Sequence, residues 1–479
     1  MKQICNIKGS ILLIIIAIVF FTSCIEGYTD DWTFSAGVKG VTLESPSSDK
    51  VVISKNAEGT ELTIQWPVVY GAGGYQFSLY IVDDPENPVV VGEENQVIDG
   101  CSVKRPLQED TKYKIIIKTL GNEKYDNKPA VSATEIAYST MIPATVIPDG
   151  TDLSVYFTEN AIPTSTDEIA YELVAGGHYT LSGPVDFGTH WLTLRGNKVN
   201  RPTLTYSIAG RLSTTAGLTM KFINFDCKAV TADATNGALL LLSATPDPAI
   251  LGTGSYYIIP KPVVLKSCNI TGINKRLIYD NNQKYALSTL LIKDCIIPLN
   301  TTSDGIIYMQ NGFVNDFTIS NSTVYSLVAS SGYFLRYNNS GRPDRAGFVS
   351  GSINFYNNTF YNVVNNGQMG NYSGMNSAYV KLNIAQNIFV DCGAKYVIRR
   401  LSGGGNNMVK TLKDNCYWYG GAFPQAEEID HANGDKSGTG YGEDPVFANA
   451  TGGDFTVGTS ATTIISKRSG DTRWLPAAK

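Results

Sequence analysis

The sequence predicts an all-β protein, a sandwich of short antiparallel strands followed by a parallel β-helix. Three observations predict it. Only 17% of residues are charged, while Gly, Asn, Ser, Thr and Tyr are abundant, a balance that suits strands and turns and not long helices. Short alternating runs with turn residues between them fill the first third of the chain. Further on, a six-residue pattern recurs: apolar, any, any, a small residue or Asn or Cys, any, apolar.

The chain opens with Lys2 and Lys8, then the unbroken apolar run Ile11 to Phe21. Eleven residues are too few to span a bilayer but suit the apolar core of a signal peptide. The run ends in Phe21-Thr22-Ser23-Cys24, which resembles the lipobox of bacterial lipoproteins, and that resemblance implies diacylation of Cys24 and loss of residues 1–24 as a signal segment. Ile25 follows the cysteine in place of an aspartate that retains lipoproteins at the inner membrane. Glu26, Asp30 and Asp31 resemble the acidic export signal of surface lipoproteins of glycan-foraging bacteria. These features imply an outer-membrane, surface-exposed, lipid-anchored protein.

The remaining length calls for two or more domains. A net charge of −5 argues against a general nucleic-acid binder. Of eight cysteines, Cys5 falls in the signal segment and Cys24 is the lipid site. The other six, Cys101, Cys227, Cys268, Cys295, Cys392 and Cys416, form no CxxC pair, and with three histidines a zinc site is not expected.

Residues 39–142 read as the first domain. Leu62-Thr63-Ile64-Gln65-Trp66 alternates, and Trp66 suits a sandwich core. Gly71-Ala72-Gly73-Gly74 breaks the chain before Tyr75–Tyr80. Leu107, Thr111 and Tyr113 precede the strand Lys114–Lys118. That Leu-x3-Thr-x-Tyr spacing resembles a tyrosine corner, and the set is similar to a fibronectin type III domain, which implies a spacer.

Residues 148–479 read as the second domain. The six-residue pattern starts at 220, 265, 292, 319, 355, 384 and 412, so the intervals are 45, 27, 27, 36, 29 and 28 residues. One coil of a parallel β-helix needs about that length. The first and sixth positions are expected to point into the core. The fourth is expected near a tight bend, where stacked Asn side chains can bond one another and Cys268 and Cys295 stack as buried thiols. A second strand follows in several coils: Leu277–Asp280, Ile306–Met309, Tyr333–Arg336 and Tyr396–Arg399.

Asp167–Tyr179 with its Gly-x-Tyr turn, Leu192-Thr193-Leu194-Arg195-Gly196, Asp444–Phe447, Gly453–Val457 and Gly470–Trp474 resemble the ends of pectin-lyase-like β-helices. The resemblance implies a right-handed coil. It also raises lyase chemistry, in which calcium held by several carboxylates and an Arg or Lys base act on a uronate. Asp280 and Asp294 stand alone, and Asp304, Asp316 and Asp344 fall in or near loops. The Trp-Ile-Asp-His and Arg-x-Pro-x-x-Arg segments of the commonest pectate lyase family are absent, and Arg342-Pro343-Asp344-Arg345 has the wrong spacing. The Asn-Thr-Asp, Asp-pair and Gly-His-Gly segments of polygalacturonases are also missing. His178, His190 and His431 read as structural or surface groups. Neither metal nor cofactor is expected, with calcium entering only under the lyase alternative.

Binding needs exposed aromatics and planar polar groups. The second-strand column ends in Asp280, Met309, Arg336 and Arg399, with Phe334, Tyr337, Arg342, Arg345 and Arg400 nearby in sequence. Arg336 and Arg399 could instead cap the ladder through carbonyls. Lys221, Lys266, Lys293 and Lys413 form a second stripe, which a solvated face also explains. In Tyr417-Trp418-Tyr419 at least one ring must leave the core, and Trp418 is the ligand candidate. The leading expectation is a surface lipoprotein that binds a pectin-like or other acidic polysaccharide beside a starch-utilisation-type importer. A polysaccharide lyase is the alternative and a structural adhesin the third reading.

Overall fold

A computed structural model describes residues 37–232 and 235–477. The chain divides into two compact units between Ile142 and Pro143. Cys24 and the segment before it lie outside the described residues.

The first unit is an antiparallel sandwich. Val52–Lys55, Glu61–Gln65 and Ser102–Pro106 form a three-stranded sheet, and Tyr75–Ile81, Lys112–Thr119 and Thr134–Ser139 form the body of a five-stranded one. Alternation decides which side chains meet: Leu62 and Ile64 from one sheet and Phe77, Leu79, Ile115 and Ile117 from the other bury completely. Trp66 stacks on Phe77 with centroids 5.9 Å apart and meets Tyr75 edge-on at 5.4 Å. The buried Tyr113 hydroxyl accepts the Gln108 N–H at 2.8 Å, which ties the corner to its strand as the Leu-x3-Thr-x-Tyr spacing implied.

The second unit is a right-handed parallel β-helix. Sheets of eleven, nine and seven strands run along it, and every strand pairs in parallel with its counterpart one coil later. Each coil contributes to the first sheet, bends, contributes to the second, and in most coils to the third. The short helix Leu153–Glu159, capped by the Asp152 carboxylate on the Ser154 N–H (2.9 Å), closes the first coil by setting Phe157 against Tyr171 and Phe187.

The six-residue pattern is the register of this coil. Its first positions, Met220, Leu265, Ile292, Ile319, Phe355, Ile384 and Leu412, stack as consecutive partners in the first sheet. The sixth positions stack in the second sheet, from Phe225 on Ile270 to Phe389 on Tyr417. The bend itself falls one residue before the expected fourth position. All seven third positions (Phe222, Ser267, Asp294, Asn321, Asn357, Gln386 and Asp414) take φ between 45° and 60°. Asn and Asp, which tolerate the left-handed region better than other side chains, hold four of them.

That bend turns the fourth residue inward. Asn358, Asn387 and Asn415 are fully buried and linked side chain to side chain at 2.9 and 3.0 Å. Asn387 Nδ2 also donates to the Ala385 and Phe355 carbonyls. Cys268 Sγ makes the same two contacts, to the Lys266 and Met220 carbonyls at 3.3 and 3.5 Å, and Cys295 repeats them. The thiols therefore stand in for ladder amides, free and buried in adjacent coils.

The C-terminal segment runs back along the bends. Gly470 N–H donates to Gln386 O, Thr472 N–H to Asn321 Oδ1, and Trp474 Nε1 to Thr323 Oγ1. Arg473, ion-paired to the buried Asp471, donates to the Asp294, Cys295 and Asn321 carbonyls. Phe447 and Phe455 pack on Tyr325 and Tyr361 over the outer face of the second sheet.

Candidate functional site

The C-terminal segment, a strap packed over the second sheet, covers one of three outer faces. Trp418 pairs with Val390 in the second sheet and packs, half-buried, in the apolar cluster under this C-terminal segment. Its ring is spent on packing, and it lies apart from the arginines the sequence grouped it with.

On the first sheet the lysine stripe is in register. Lys221, Lys266 and Lys293 are consecutive partners, with Arg195 one coil earlier, and Lys413 is separated from them by Ser320, Tyr356 and Ala385. Arg195 pairs with Glu172 at 2.6 Å. Towards the C-terminal coils this face turns into a polar network. Ser352 donates to Asp316, and Asn354 links Thr318, Ser352 and Asn383, at 2.7 to 3.0 Å. These groups bond one another.

The third sheet is different. Its outer column is Tyr279, Tyr308, Arg336 and Asn371, one residue off the column expected from sequence. Arg336 stacks on Tyr308, and Met309 stacks on Tyr337, because strand Tyr333–Tyr337 pairs one residue later than its sequence alignment suggested. Tyr279 and Tyr308 stack with centroids 5.6 Å apart at 26°, in an apolar cluster separate from the core. The Arg336 guanidinium lies 4.6 Å from the Tyr308 ring and 4.9 Å from the Tyr333 ring. Cation–π contacts of this kind hold a guanidinium while leaving its N–H fork open.

Three expected ligand residues are excluded from this surface by burial. Phe334 (1% exposed) packs on Phe355 and Phe360, and Tyr337 (3%) stacks on Tyr372, both inside the coil. Asp280 is fully buried because the chain bends inward after Tyr279. It accepts N–H groups from Asn311, Gly312 and Asn282 at 2.8 to 3.1 Å, and burial pushes its pKa up to about 6.

Arg399 is not on a strand. Tyr396–Arg399, expected as a fourth strand, enters a short helix, Val397–Leu401, which sits on strand Gln368–Asn371 two coils beyond Arg336. The helix carries Arg399 and Arg400 side by side. Burial and the adjacent Arg399 charge pull the Arg400 pKa down, opposed by Tyr396 and Tyr333. Arg399 lies 5.1 Å from the Tyr396 ring. Among the described residues no ion pair to a carboxylate engages Arg336, Arg399 or Arg400, and no carbonyl cap does either. Asp304, whose carbonyl accepts the Tyr333 N–H, is committed through its carboxylate to Arg276 at 2.8 Å, and Arg276 lies 5.3 Å from the Tyr308 ring.

The result is a strip of three guanidinium groups and the rings of Tyr308, Tyr333 and Tyr396, with none of the three ion-paired to a carboxylate among the described residues. An anion with planar oxygens, spaced along an extended chain, fits those forks. The tyrosines were present in the second-strand runs, but only the structure sets Tyr308 and Tyr333 against Arg336 and Tyr396 against Arg399. The remaining carboxylates hold local bonds: Asp294 with Asn321, Asp344 with Arg342. Among the described residues no group of three or more His, Cys, Asp or Glu side chains converges. His431 accepts the Asn433 N–H and edges onto Tyr396, and His178 is exposed.

Three families described only as domains of unknown function match successive parts of the chain: DUF4992 over residues 3–176, DUF4957 over 177–327 and DUF5123 over 353–474. The first boundary falls in the first β-helix coil, between strands Ile169–Leu173 and His178–Leu181. No curated protein matches the chain. Among solved structures, the crystal structure of the pectate lyase PelI from Erwinia chrysanthemi is 9% identical, aligned over 82% of this chain and 99% of that one, with a TM-score of 0.20.

Proposed function

We propose that this protein binds an extended acidic polysaccharide along the outer face of the third sheet. One observation carries the reading. Arg336 is held between the Tyr308 and Tyr333 rings, with no carboxylate partner among the described residues. A uronate would supply the missing charge, and the tyrosine edges and faces would meet the sugar ring.

The rest of the proposal follows from the N-terminal sequence. Cys24 anchors the chain by lipid in the outer membrane, facing outward, and the fibronectin-like sandwich acts as a spacer. The β-helix then presents glycan to a starch-utilisation-type importer. Among the described residues lyase activity has no carboxylate cluster to support it.

The test is isothermal titration calorimetry with polygalacturonate, alginate and a neutral galactan, on parent, Arg336→Ala and Arg400→Ala proteins checked for folding by circular dichroism. A polyuronate should bind, and each variant should lose roughly 1.5–3 kcal/mol, about ten- to a hundredfold in affinity. Equal binding by both folded variants, or equal affinity for the neutral glycan, removes this face as the site. Growth of unsaturated-uronide absorbance in the same cell would move the protein to the lyase class.

A further inference from the structure

The helix that carries Arg399 and Arg400 does not cap itself. Its N-cap residue, Tyr396, makes no side-chain bond to it. Its first two N–H groups are instead taken by one carboxyl from the C-terminal cap. Val397 N–H donates to Glu428 Oε1 at 2.6 Å and Ile398 N–H to Oε2 at 3.4 Å. Glu428 is 1% exposed. A carboxyl so far from water is costly unless its bonds are made, and here its side-chain bonds go to those two amides.

The groups that face Glu428 are known from every neighbouring element. Asp435, also 1% exposed, accepts the Tyr417 hydroxyl at 2.8 Å and the Ser437 N–H. Glu427 on the same turn pairs with Lys395 at 3.9 Å. Burial above all, with smaller contributions from Asp391 and Glu428, pushes the Cys392 thiol pKa up. Among the described residues no ion pair reaches Glu428 itself.

We infer that Glu428 is a positioning residue: it holds helix Val397–Leu401 in place and so sets Arg399 and Arg400 against the third sheet. Its effect on ligand affinity rests on the binding reading above; its effect on the helix does not. The consequence is pH-dependent. Burial, opposed by the two N–H bonds and reinforced by Asp435 and Glu427, pushes the Glu428 pKa up to about 8. A carboxyl raised in the fold stabilises it fully below its unfolded pKa, about 4.3, and that contribution is lost as pH rises through about 8. On the alkaline side the ionised group sits beside Asp435, and the helix loosens.

Trypsin provides a test without any glycan, because it cleaves after Arg399 and Arg400 only when the helix opens. At pH 7, Glu428→Ala should be cut there about tenfold faster than the parent, as expected for an opening equilibrium that loses one capping contact. Glu428→Gln, a neutral isostere of the protonated acid, should be cut at the parent rate. Between pH 7 and pH 9 the parent rate at these bonds should rise relative to cleavage of a peptide standard, while that of Glu428→Gln should stay level. Cleavage of Glu428→Ala at the parent rate, or an identical pH profile for parent and Glu428→Gln, overturns the inference. If Glu428→Ala does not fold, the comparison of parent with Glu428→Gln decides alone. Where polygalacturonate binds the parent, Glu428→Ala should bind it more weakly and Glu428→Gln equally well. Failure of all polysaccharide binding sinks the ligand reading and leaves the trypsin result standing.

Discussion

Replacing Asn387 by Ala should damage the β-helix far more than replacing Asn383, four residues earlier. Asn387 is fully buried in the ladder. Its Oδ1 accepts the Asn358 backbone N–H at 3.0 Å and Asn358 Nδ2 at 2.9 Å. Its Nδ2 donates to Phe355 O, Ala385 O and Asn415 Oδ1. Several partners survive its loss. Asn358 Nδ2 keeps Ile319 O, Asn415 Oδ1 keeps the Asn387 N–H, and Ala385 O keeps the Asn357 N–H. The Asn358 N–H loses its acceptor inside the coil, and Phe355 O loses a donor. Stranding a buried polar group costs about 1–3 kcal/mol, so the pair costs roughly 2–6 kcal/mol. Asn383 is half-buried on the outer face with one side-chain bond donated, to Asn354, and its loss should cost less than about 1 kcal/mol. Asn387→Cys should fall between them, since Cys268 shows a thiol reaching the two equivalent carbonyls. Urea titrations followed by far-ultraviolet circular dichroism measure the three differences. If Asn387→Ala costs no more than Asn383→Ala, the ladder is not what holds the bends.

Two further outcomes are expected. Asp280, with its pKa raised to about 6 by burial, stabilises its bend fully below the unfolded carboxyl value of about 3.9 and loses that contribution as pH rises through about 6, so Asp280→Asn should flatten the fall in urea midpoint between pH 4 and pH 6.5; parallel curves for parent and variant would refute this. Cys24→Ala should leave an unprocessed precursor or release the protein from membranes, and unchanged processing and fractionation would rule out the lipid anchor.

The sequence by itself determined the coil. A period near 28 residues, apolar first and sixth positions, and Asn, Ser or Cys between them survive in one dimension because every coil must bury the same side chains on its neighbours. The same holds for Trp66 and Tyr113, whose local spacing sets their roles. The ligand face was only half legible. Arg336 and Arg400 were readable as candidates, but Asp280, Phe334, Tyr337 and Trp418 were not separable from surface residues by type alone. Their fates depend on a bend after Tyr279, a one-residue shift at Tyr333, and a strap returning over the second sheet. Each of these is a pairing between residues distant in sequence. Pairing register decides which side of a strand faces water, and a slip of one residue exchanges the two faces. Only the tertiary structure could place Glu428 on the helix that begins 31 residues before it, because a backbone N–H accepts any carboxylate that packing delivers and leaves no mark on the sequence at either end.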